Sequence, residues 1–195
     1  MTAELVSPLA AWTSRLPSTV SERPFLSQLT VRSSDTAAMG SVLGVAFPSR
    51  PCTFTEGSGR FGDVSVLWLG PDEYLVVAEP GLQVPIEEGL RACKGSVVDT
   101  SAQRTTLVLE GPHVRDVLAH GCSVDLHPAA APVGTCVQTL LARTGIILQV
   151  TGADTFTLLV RSSFAEYLAA WLCDASVEYG LLGETPVTGR PQGHR

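Results

Sequence analysis

Two segments of this 195-residue chain carry the same pattern, displaced by 82 residues. Residues 64–78 read VSVLWLGPDEYLVVA, and residues 146–161 read IILQVTGADTFTLLVR. In each, an apolar run leads into a turn with Gly and Asp, and an alternating run leaves it, which is typical of a β-hairpin. The equivalent residues are Gly70 and Gly152, Asp72 and Asp154, and Tyr74 and Phe156. Two related hairpins predict a fold built from a repeated unit.

A helix is predicted after each hairpin, over Pro85–Cys93 and Ser163–Ala175. In the second helix, apolar side chains recur on one face at Phe164, Leu168, Trp171 and Leu172. From residue 64 the predicted order of elements is β-β-α-β-β-α-β-β-β-α. This order favours an α+β fold, with antiparallel sheets, helices on one face and repeated β-β-α units.

Three ranges describe the domain organisation. Residues 1–24 combine three prolines with apolar side chains, including Leu9 and Trp12, which predicts an arm packed on its own domain or on a neighbouring chain. Residues 25–180 are predicted to form a single α+β domain. Residues 181–195 are rich in Gly, Pro and Thr, and they are predicted to be a disordered tail.

Upstream of the first hairpin, the pattern predicts a strand over Phe25–Val31, a helix over Asp35–Leu43 and a loop over residues 48–62. The loop contains Gly57-Ser58-Gly59-Arg60-Phe61-Gly62, which matches Gly-x-Gly-x-x-Gly. A dinucleotide fingerprint follows a strand and opens a helix, whereas this run precedes a strand. We therefore interpret it as part of a flexible loop and not as a cofactor site.

The chain has few charged side chains. Asp, Glu, Lys and Arg make up 16% of its residues, against about 25% in typical globular domains. Lys94 is the only lysine, and lysine is depleted at protein interfaces. This composition fits an ordinary small globular protein, but it favours a subunit largely covered by partners.

Charge and length exclude other classes of function. The net charge is −6, and the 13 basic residues are scattered singly, so no basic patch for nucleic acid is expected. No run of 18 apolar residues predicts a membrane span. The five cysteines include no Cys-x-x-Cys pair, and no secretion signal is apparent, so a cytoplasmic protein with reduced thiols is expected.

Histidines and cysteines cluster loosely in one region. His113, His120 and His127 are spaced by seven residues, near Cys122 and Cys136. Gly121 and Pro128 interrupt any helix that would bring the three histidines together, and the spacings differ from those of close zinc-ligand pairs. We predict no metal site, and no catalytic triad, carboxylate pair or phosphate loop is apparent, so no catalytic residue is predicted.

Asp99 and Arg104 flank a short loop between two predicted strands, Ser96–Asp99 and Thr105–Glu110. Asp99 is expected to form a turn with its own backbone. Arg104 either pairs with Asp99 and closes the loop, or faces a partner chain. The candidate partner contacts are therefore Leu9, Trp12 and Arg104, where Trp12 is proposed because tryptophan is enriched at interface anchors.

Several motifs in order resemble the gamma subunit of heterotetrameric sarcosine oxidase. They are Trp68-Leu69-Gly70-Pro71-Asp72-Glu73-Tyr74, Asp99-x-Ser101-x-x-Arg104, Gly121-Cys122-x-x-Asp125-Leu126, Pro132-Val133-Gly134 and Arg161-Ser162-Ser163-Phe164-Ala165-x-Tyr167-Leu168. The resemblance covers residues 64–178, and none of these motifs is a catalytic signature. It implies a fold like that of the folate-binding aminomethyltransferase domain.

The resemblance also implies a function. Such a chain belongs to a four-chain flavoenzyme that oxidatively demethylates sarcosine to glycine and transfers the one-carbon unit to tetrahydrofolate. The alpha, beta and delta subunits are expected to hold FAD, FMN, NAD and tetrahydrofolate, and this chain is expected to bind no cofactor and to have a structural role. Two alternatives remain: a free-standing folate-dependent one-carbon transferase, and a binding module for a small metabolite.

Overall fold

The computed structural model describes residues 5–182, which form ten strands and four α-helices. The strands are Val20–Arg23 (β1), Ser27–Arg32 (β2), Phe54–Gly59 (β3), Gly62–Gly70 (β4), Glu73–Ala78 (β5), Ser96–Asp99 (β6), Arg104–Glu110 (β7), Cys136–Leu141 (β8), Thr144–Gly152 (β9) and Thr155–Arg161 (β10). The helices are Thr36–Leu43 (α1), Gln83–Leu90 (α2), Val114–Ala119 (α3) and Ala165–Ser176 (α4). The predicted α+β class and the predicted order of elements from residue 64 are confirmed.

The strands form two antiparallel sheets with the same topology. One sheet has the order β3-β4-β5-β2-β6, and the other has the order β8-β9-β10-β7-β1. Strands β3 and β4 and helix α2 begin 82 residues before β8, β9 and α4, respectively. The repeat that the sequence shows in two hairpins therefore extends over two β-α-β-β-β-α units.

The amino-terminal segment completes the second sheet. In the first unit, β6 follows α2 and pairs with β2, whereas in the second unit β1 takes the equivalent place beside β7. Leu9 is fully buried in the core of this second unit. Of the arm predicted over residues 1–24, the described residues 5–24 thus pack on their own domain and supply one of its strands.

The four layers of the molecule are helices, sheet, sheet and helices. Helices α1 and α2 bury residues such as Met39 and Ile86 against the outer face of the first sheet. Helices α3 and α4 bury residues such as Leu118 and Leu168 against the outer face of the second. A smaller apolar cluster lies between the two sheets, built from Leu67, Leu75, Cys136, Ile147 and Leu159. Each sheet therefore has helices on one face and the other sheet on its opposite face.

The two sheets join where their equivalent edge strands meet. Thr53 and Thr135 form an antiparallel bridge, and these residues are 82 positions apart. The Phe54 amide donates to the Gly134 carbonyl at 3.2 Å, and the Cys136 amide donates to the Cys52 carbonyl at 2.9 Å. The reciprocal bonds place Thr53 and Thr135 on an approximate two-fold axis that relates the halves.

One local prediction is wrong. Residues 48–62 do not form a single loop, because β3 runs through them and pairs with β4 from Phe54↔Leu67 to Gly59↔Gly62. The glycines permit close packing: a Cβ at Gly59 would lie 2.1 Å from the Leu43 carbonyl oxygen. Glycine is therefore required at Gly59 where the end of α1 crosses the strand.

At the carboxyl end, residues 181 and 182 are described, and the rest of the tail predicted to be disordered, residues 183–195, lies outside the described residues. The Leu181 carbonyl accepts a hydrogen bond from the Ser18 amide at 2.9 Å, and its side chain packs on the second core. Within residues 5–182, no helix is long and apolar enough to cross a membrane.

Gly59→Ala should lower the free energy of unfolding by about 1–3 kcal/mol, because the new methyl group overpacks the contact with α1. Gly145→Ala is the matched control, since no atom lies within 4 Å of a Cβ built there, and it should change stability by less than about 0.5 kcal/mol. Urea unfolding of the two variants measures both values. Equal stability of the two variants would contradict the packing described for Gly59.

Candidate functional site

Each sheet carries a depression on the face turned toward the other sheet. The first, of about 430 Å³, is lined by residues that include Arg23, Leu26, Glu56, Asp63 and Glu79, and we call it the acidic pocket. The second, of about 280 Å³, is lined by residues that include Arg104, Gln138, Gly145, Leu159 and Arg161, and we call it the basic pocket.

The two pockets occupy equivalent positions in the repeat. Glu56, Asp63, Val77 and Glu79 of the acidic pocket correspond, 82 residues later, to Gln138, Gly145, Leu159 and Arg161 of the basic pocket. The strand pairings also make Leu26, just before β2, equivalent to Arg104 at the start of β7. Equivalent positions in the two halves therefore line a depression in each sheet, but with opposite charge.

The three carboxylates of the acidic pocket all have partners within the chain: one forms an ion pair and the other two accept hydrogen bonds. Arg23 extends from β1, and its Nη2 atom lies 2.5 Å from Glu79 Oε1. Ser65 donates to Glu56 Oε1 at 3.1 Å, and the Ser58 hydroxyl donates to the Asp63 carboxylate. The amino-terminal strand thus supplies the counter-charge to this pocket.

The charges of the basic pocket are not compensated. No acidic residue is among its lining residues, and no ion pair found within residues 5–182 includes Arg104 or Arg161. Glu73, whose negative charge raises the pKa of Arg104, is itself bonded to Arg32 at 2.6 Å. The position equivalent to Arg23 is Thr100, which is uncharged.

This arrangement disfavours the charged form of Arg104. Burial lowers the pKa of its guanidinium group, and the neighbouring positive charge of Arg161 lowers this pKa further, while Glu73 raises it. Arg104 and Arg161 are direct partners in the pairing of β7 with β10. Like charges directly opposite each other on neighbouring strands are destabilising.

Buried polar atoms without partners concentrate here. Among the residues described, four buried side-chain atoms make no hydrogen bond: Gln28 Oε1, Arg104 Nη1, Thr106 Oγ1 and Ser176 Oγ. The first three belong to neighbouring residues. The side-chain amide of Gln28 donates to the Arg104 carbonyl at 3.2 Å, and Thr106 follows Arg104 by two residues on β7. Unpaired buried groups are rare in folded proteins, and each calls for an explanation.

The residues proposed as partner contacts lie in different surroundings. Leu9 has no exposed surface, so the structure gives it a role inside the chain's own core. Trp12 is partly buried against that core, and the Arg15 guanidinium lies 4.4 Å from the centre of its ring. Arg104 lies on the inner face of the second sheet, in the basic pocket.

The loop before Arg104 has the turn predicted for Asp99. Its Oδ1 atom accepts hydrogen bonds from the Ser101 amide at 2.9 Å and from the Ser101 hydroxyl at 2.6 Å. The ion pairs within residues 5–182 do not include one between Asp99 and Arg104. Of the two alternatives for Arg104, closure of the loop through Asp99 is therefore not observed.

The histidines have local structural partners. His113 stacks on Tyr179 with ring centres 5.2 Å apart, and His120 Nε2 lies 3.0 Å from the Tyr179 hydroxyl. His127 Nδ1 accepts from the Ala129 amide at 3.2 Å. Within the described part of the chain, no group of three or more His, Cys, Asp or Glu side chains is arranged to hold a metal ion.

Sequence reasoning identified Arg104 but missed Arg161, Gln138 and the pocket that they share. The signal was present in the repeat, because Glu79 and Arg161 occupy the same position in two related hairpins with opposite charge. Taken alone, the sequence indicates Arg161 only as the start of a motif before the last helix.

The fold is shared with a known class of protein. The structure is similar to aminomethyltransferase T of the glycine cleavage system from Bartonella henselae, with a TM-score of 0.61 and 16% identity, over 82% of this chain and 46% of that one. At this level of identity the similarity shows the fold alone.

Closer relatives define the family. Residues 32–178 match the model of the sarcosine oxidase gamma subunit family. The chain is 38% identical to sarcosine oxidase subunit gamma of Corynebacterium sp. strain U-96, over 83% of its length and 80% of that protein, and 37% identical to that of Arthrobacter sp., over 81% and 79%. The chain belongs to the sarcosine oxidase gamma subunit family.

A solved structure gives the same result. A chain of the heterotetrameric sarcosine oxidase from Corynebacterium sp. U-96, in complex with pyrrole 2-carboxylate, is similar with a TM-score of 0.79 and 32% identity, over 93% of this chain and 99% of that chain. The match covers 93% of this chain, which is more than either repeat unit alone, so the fold of two related units is common to the two chains.

Stability above pH 9 should depend on Cys136. Burial between the sheets raises the pKa of its thiol to about 12, with a smaller contribution from Cys52, whereas an unfolded cysteine has a pKa of about 8.5. Above pH 9 the unfolded thiol loses its proton and the folded thiol keeps it. The free energy of unfolding should therefore fall with rising pH, by about 1.4 kcal/mol per pH unit from this one group.

Urea unfolding of the wild type and of Cys136→Ala between pH 8 and 11 isolates this effect, because all other titrating groups are common to both proteins. The difference in stability between them should shrink toward pH 11. Cys52→Ala, which removes an exposed thiol, should keep the wild-type slope. Parallel pH profiles for the wild type and Cys136→Ala would show that the Cys136 thiol is not protected by the fold.

Proposed function

We propose that this chain is the gamma subunit of a heterotetrameric sarcosine oxidase. Its complex would oxidatively demethylate sarcosine to glycine, with formation of hydrogen peroxide, and would pass the one-carbon unit to tetrahydrofolate. The observation that carries the proposal is the match to a chain of the Corynebacterium enzyme over 93% of this chain and 99% of that chain.

The role proposed for this chain is structural and non-catalytic. It would pack on the folate-binding part of the alpha subunit and help to close the internal cavity of the complex. The match of residues 32–178 to the gamma subunit family supports this role. The chain is 38% identical to a gamma subunit and 16% identical to an aminomethyltransferase, which favours this role over the alternative of a free-standing one-carbon transferase.

The cofactors FAD, FMN, NAD and tetrahydrofolate would be bound by the alpha, beta and delta subunits. The Gly57–Gly62 run does not fit a dinucleotide, because it forms the end of β3 and its turn into β4, with no helix to face a pyrophosphate. The acidic pocket, with three carboxylates and one guanidinium, would repel the phosphates of a flavin or nicotinamide cofactor.

The proposed complex is cytoplasmic, and Trp12 and Arg104 are its proposed contacts in this chain. Trp12 is supported by its half-buried position beside Arg15 in a segment without an α-helix or β-strand. Tryptophan and arginine are the residues most often found to dominate the energy of protein interfaces.

Co-expression of the tagged chain with the genes for the other three subunits tests the function. A yellow complex of four different chains that oxidises sarcosine should be recovered, and the isolated chain should show no such activity. If the isolated chain oxidises sarcosine, or if it is recovered alone from cells that contain the other subunits, the proposed function is wrong.

Trp12→Ala should reduce the amount of the chain recovered with the complex by at least fivefold, because an anchoring ring is lost from the interface. Val84→Ala, at an exposed apolar position on α2, is the control and should leave recovery unchanged. Melting of each isolated variant separates a lost contact from a lost fold. Unchanged recovery of Trp12→Ala would remove Trp12 from the interface.

A further inference from the structure

Three features of the basic pocket are electrostatically unfavourable in the isolated chain. Arg104 and Arg161 lie directly opposite each other on neighbouring strands, where like charges repel. Arg104 Nη1 is buried without a hydrogen-bond partner among the described residues. No acidic side chain lines the pocket. Together these features describe a site for an anion that the described residues do not supply.

The acidic pocket shows how this fold compensates the equivalent charge. There Arg23, from the amino-terminal strand, bonds to Glu79 at 2.5 Å. In the basic pocket Arg161 replaces Glu79 and the uncharged Thr100 replaces Arg23. Arg161, which is exposed, therefore has no ion pair among the described residues and is available to a carboxylate of another molecule.

The surroundings of the pocket indicate a protein and not a small free anion. The same end of the second sheet carries exposed apolar side chains: Leu140 is 53% exposed, Phe164 is 44% exposed and Tyr167 is 40% exposed. Leu140 pairs with Gly145 of the pocket, and Phe164 follows Arg161 by three residues. Aromatic residues and arginine are enriched at protein interfaces, and guanidinium groups bind carboxylates through paired hydrogen bonds.

We infer that the basic pocket receives an Asp or Glu side chain of another subunit, and that this carboxylate binds between the guanidinium groups of Arg104 and Arg161. The inference rests on the proposed function, because it requires the complex. In the isolated chain the two arginines repel each other, and in the complex one carboxylate would neutralise both and satisfy the buried Nη1 atom.

Zero-length cross-linking tests the inference in the assembled complex. Arg161→Lys places an amine in the pocket, and a carbodiimide joins an amine to a carboxylate only when the two are in contact. The background is low, because Lys94 is the only lysine in the wild-type chain. We expect a new cross-link from position 161 to an Asp or Glu of another subunit, identified by mass spectrometry of the tryptic peptides.

Arg91→Lys is the matched control, since Arg91 is exposed directly after α2, on the opposite side of the molecule, and it should give no cross-link to another subunit. An intact complex in which position 161 forms no cross-link, or joins only to a carboxylate of its own chain, would overturn the inference alone. A wild-type chain that assembles with no other subunit would overturn the proposed function and the inference with it.

Neutral variants give a second, independent result. Arg104→Gln and Arg161→Gln should each reduce the affinity of the chain for the rest of the complex by tenfold or more, while the melting temperature of the isolated chain stays equal or rises. A melting temperature that falls in parallel with affinity would show a structural role and would overturn the inference. Stabilisation of the isolated chain by acetate or citrate through Arg104, without a cross-link in the complex, would assign the pocket to a free anion instead.

Discussion

The reciprocal backbone bonds around Thr53 and Thr135 join the two halves of the molecule. They fix the edges of the two sheets against each other, and so decide which face of each sheet turns inward. Only a small apolar cluster fills the space between the sheets, because the larger cores lie under the helices. Polar and charged side chains at the ends of the inner faces therefore remain accessible, and the two pockets form there.

The repeat explains why the pockets can be compared residue by residue. Two units with the same strand order place equivalent side chains in equivalent positions, so a difference between them cannot be attributed to a difference in architecture. In the acidic pocket, Arg23 on the strand that the amino terminus inserts forms an ion pair with Glu79. At the equivalent end of β6 the basic pocket has the uncharged Thr100. Its unpaired arginines are the feature of this chain that most directly indicates a partner. A fold that keeps an unfavourable charge pair at one surface does so at a cost to its own stability, which a bound carboxylate would offset.

The sequence predicted the elements that alternate strongly and missed those that depend on tertiary contacts. Both hairpins, the order of elements and the Asp99 turn follow from local patterns, and the structure contains them. The glycines of strand β3 predict a loop from the sequence alone. They are explained only by a tertiary contact, the close approach of Leu43 to Gly59. Leu9 is predicted at an interface but lies in the core. The sequence does not reveal this, because no local signal shows that β1 pairs with β7. Arg161 becomes a candidate site residue only through its position opposite Arg104, because the strands that pair them, β7 and β10, are distant in sequence.

Hydrogen–deuterium exchange of the chain, alone and within the purified complex, measures directly which surface the partner covers. We expect protection on assembly to be concentrated at the end of the second sheet, in the turn between β8 and β9 and in the residues that follow β10, with the acidic pocket little changed. Protection confined to the acidic pocket or to the outer faces of α1 and α2, with the turn between β8 and β9 exchanging as in the isolated chain, would contradict this expectation.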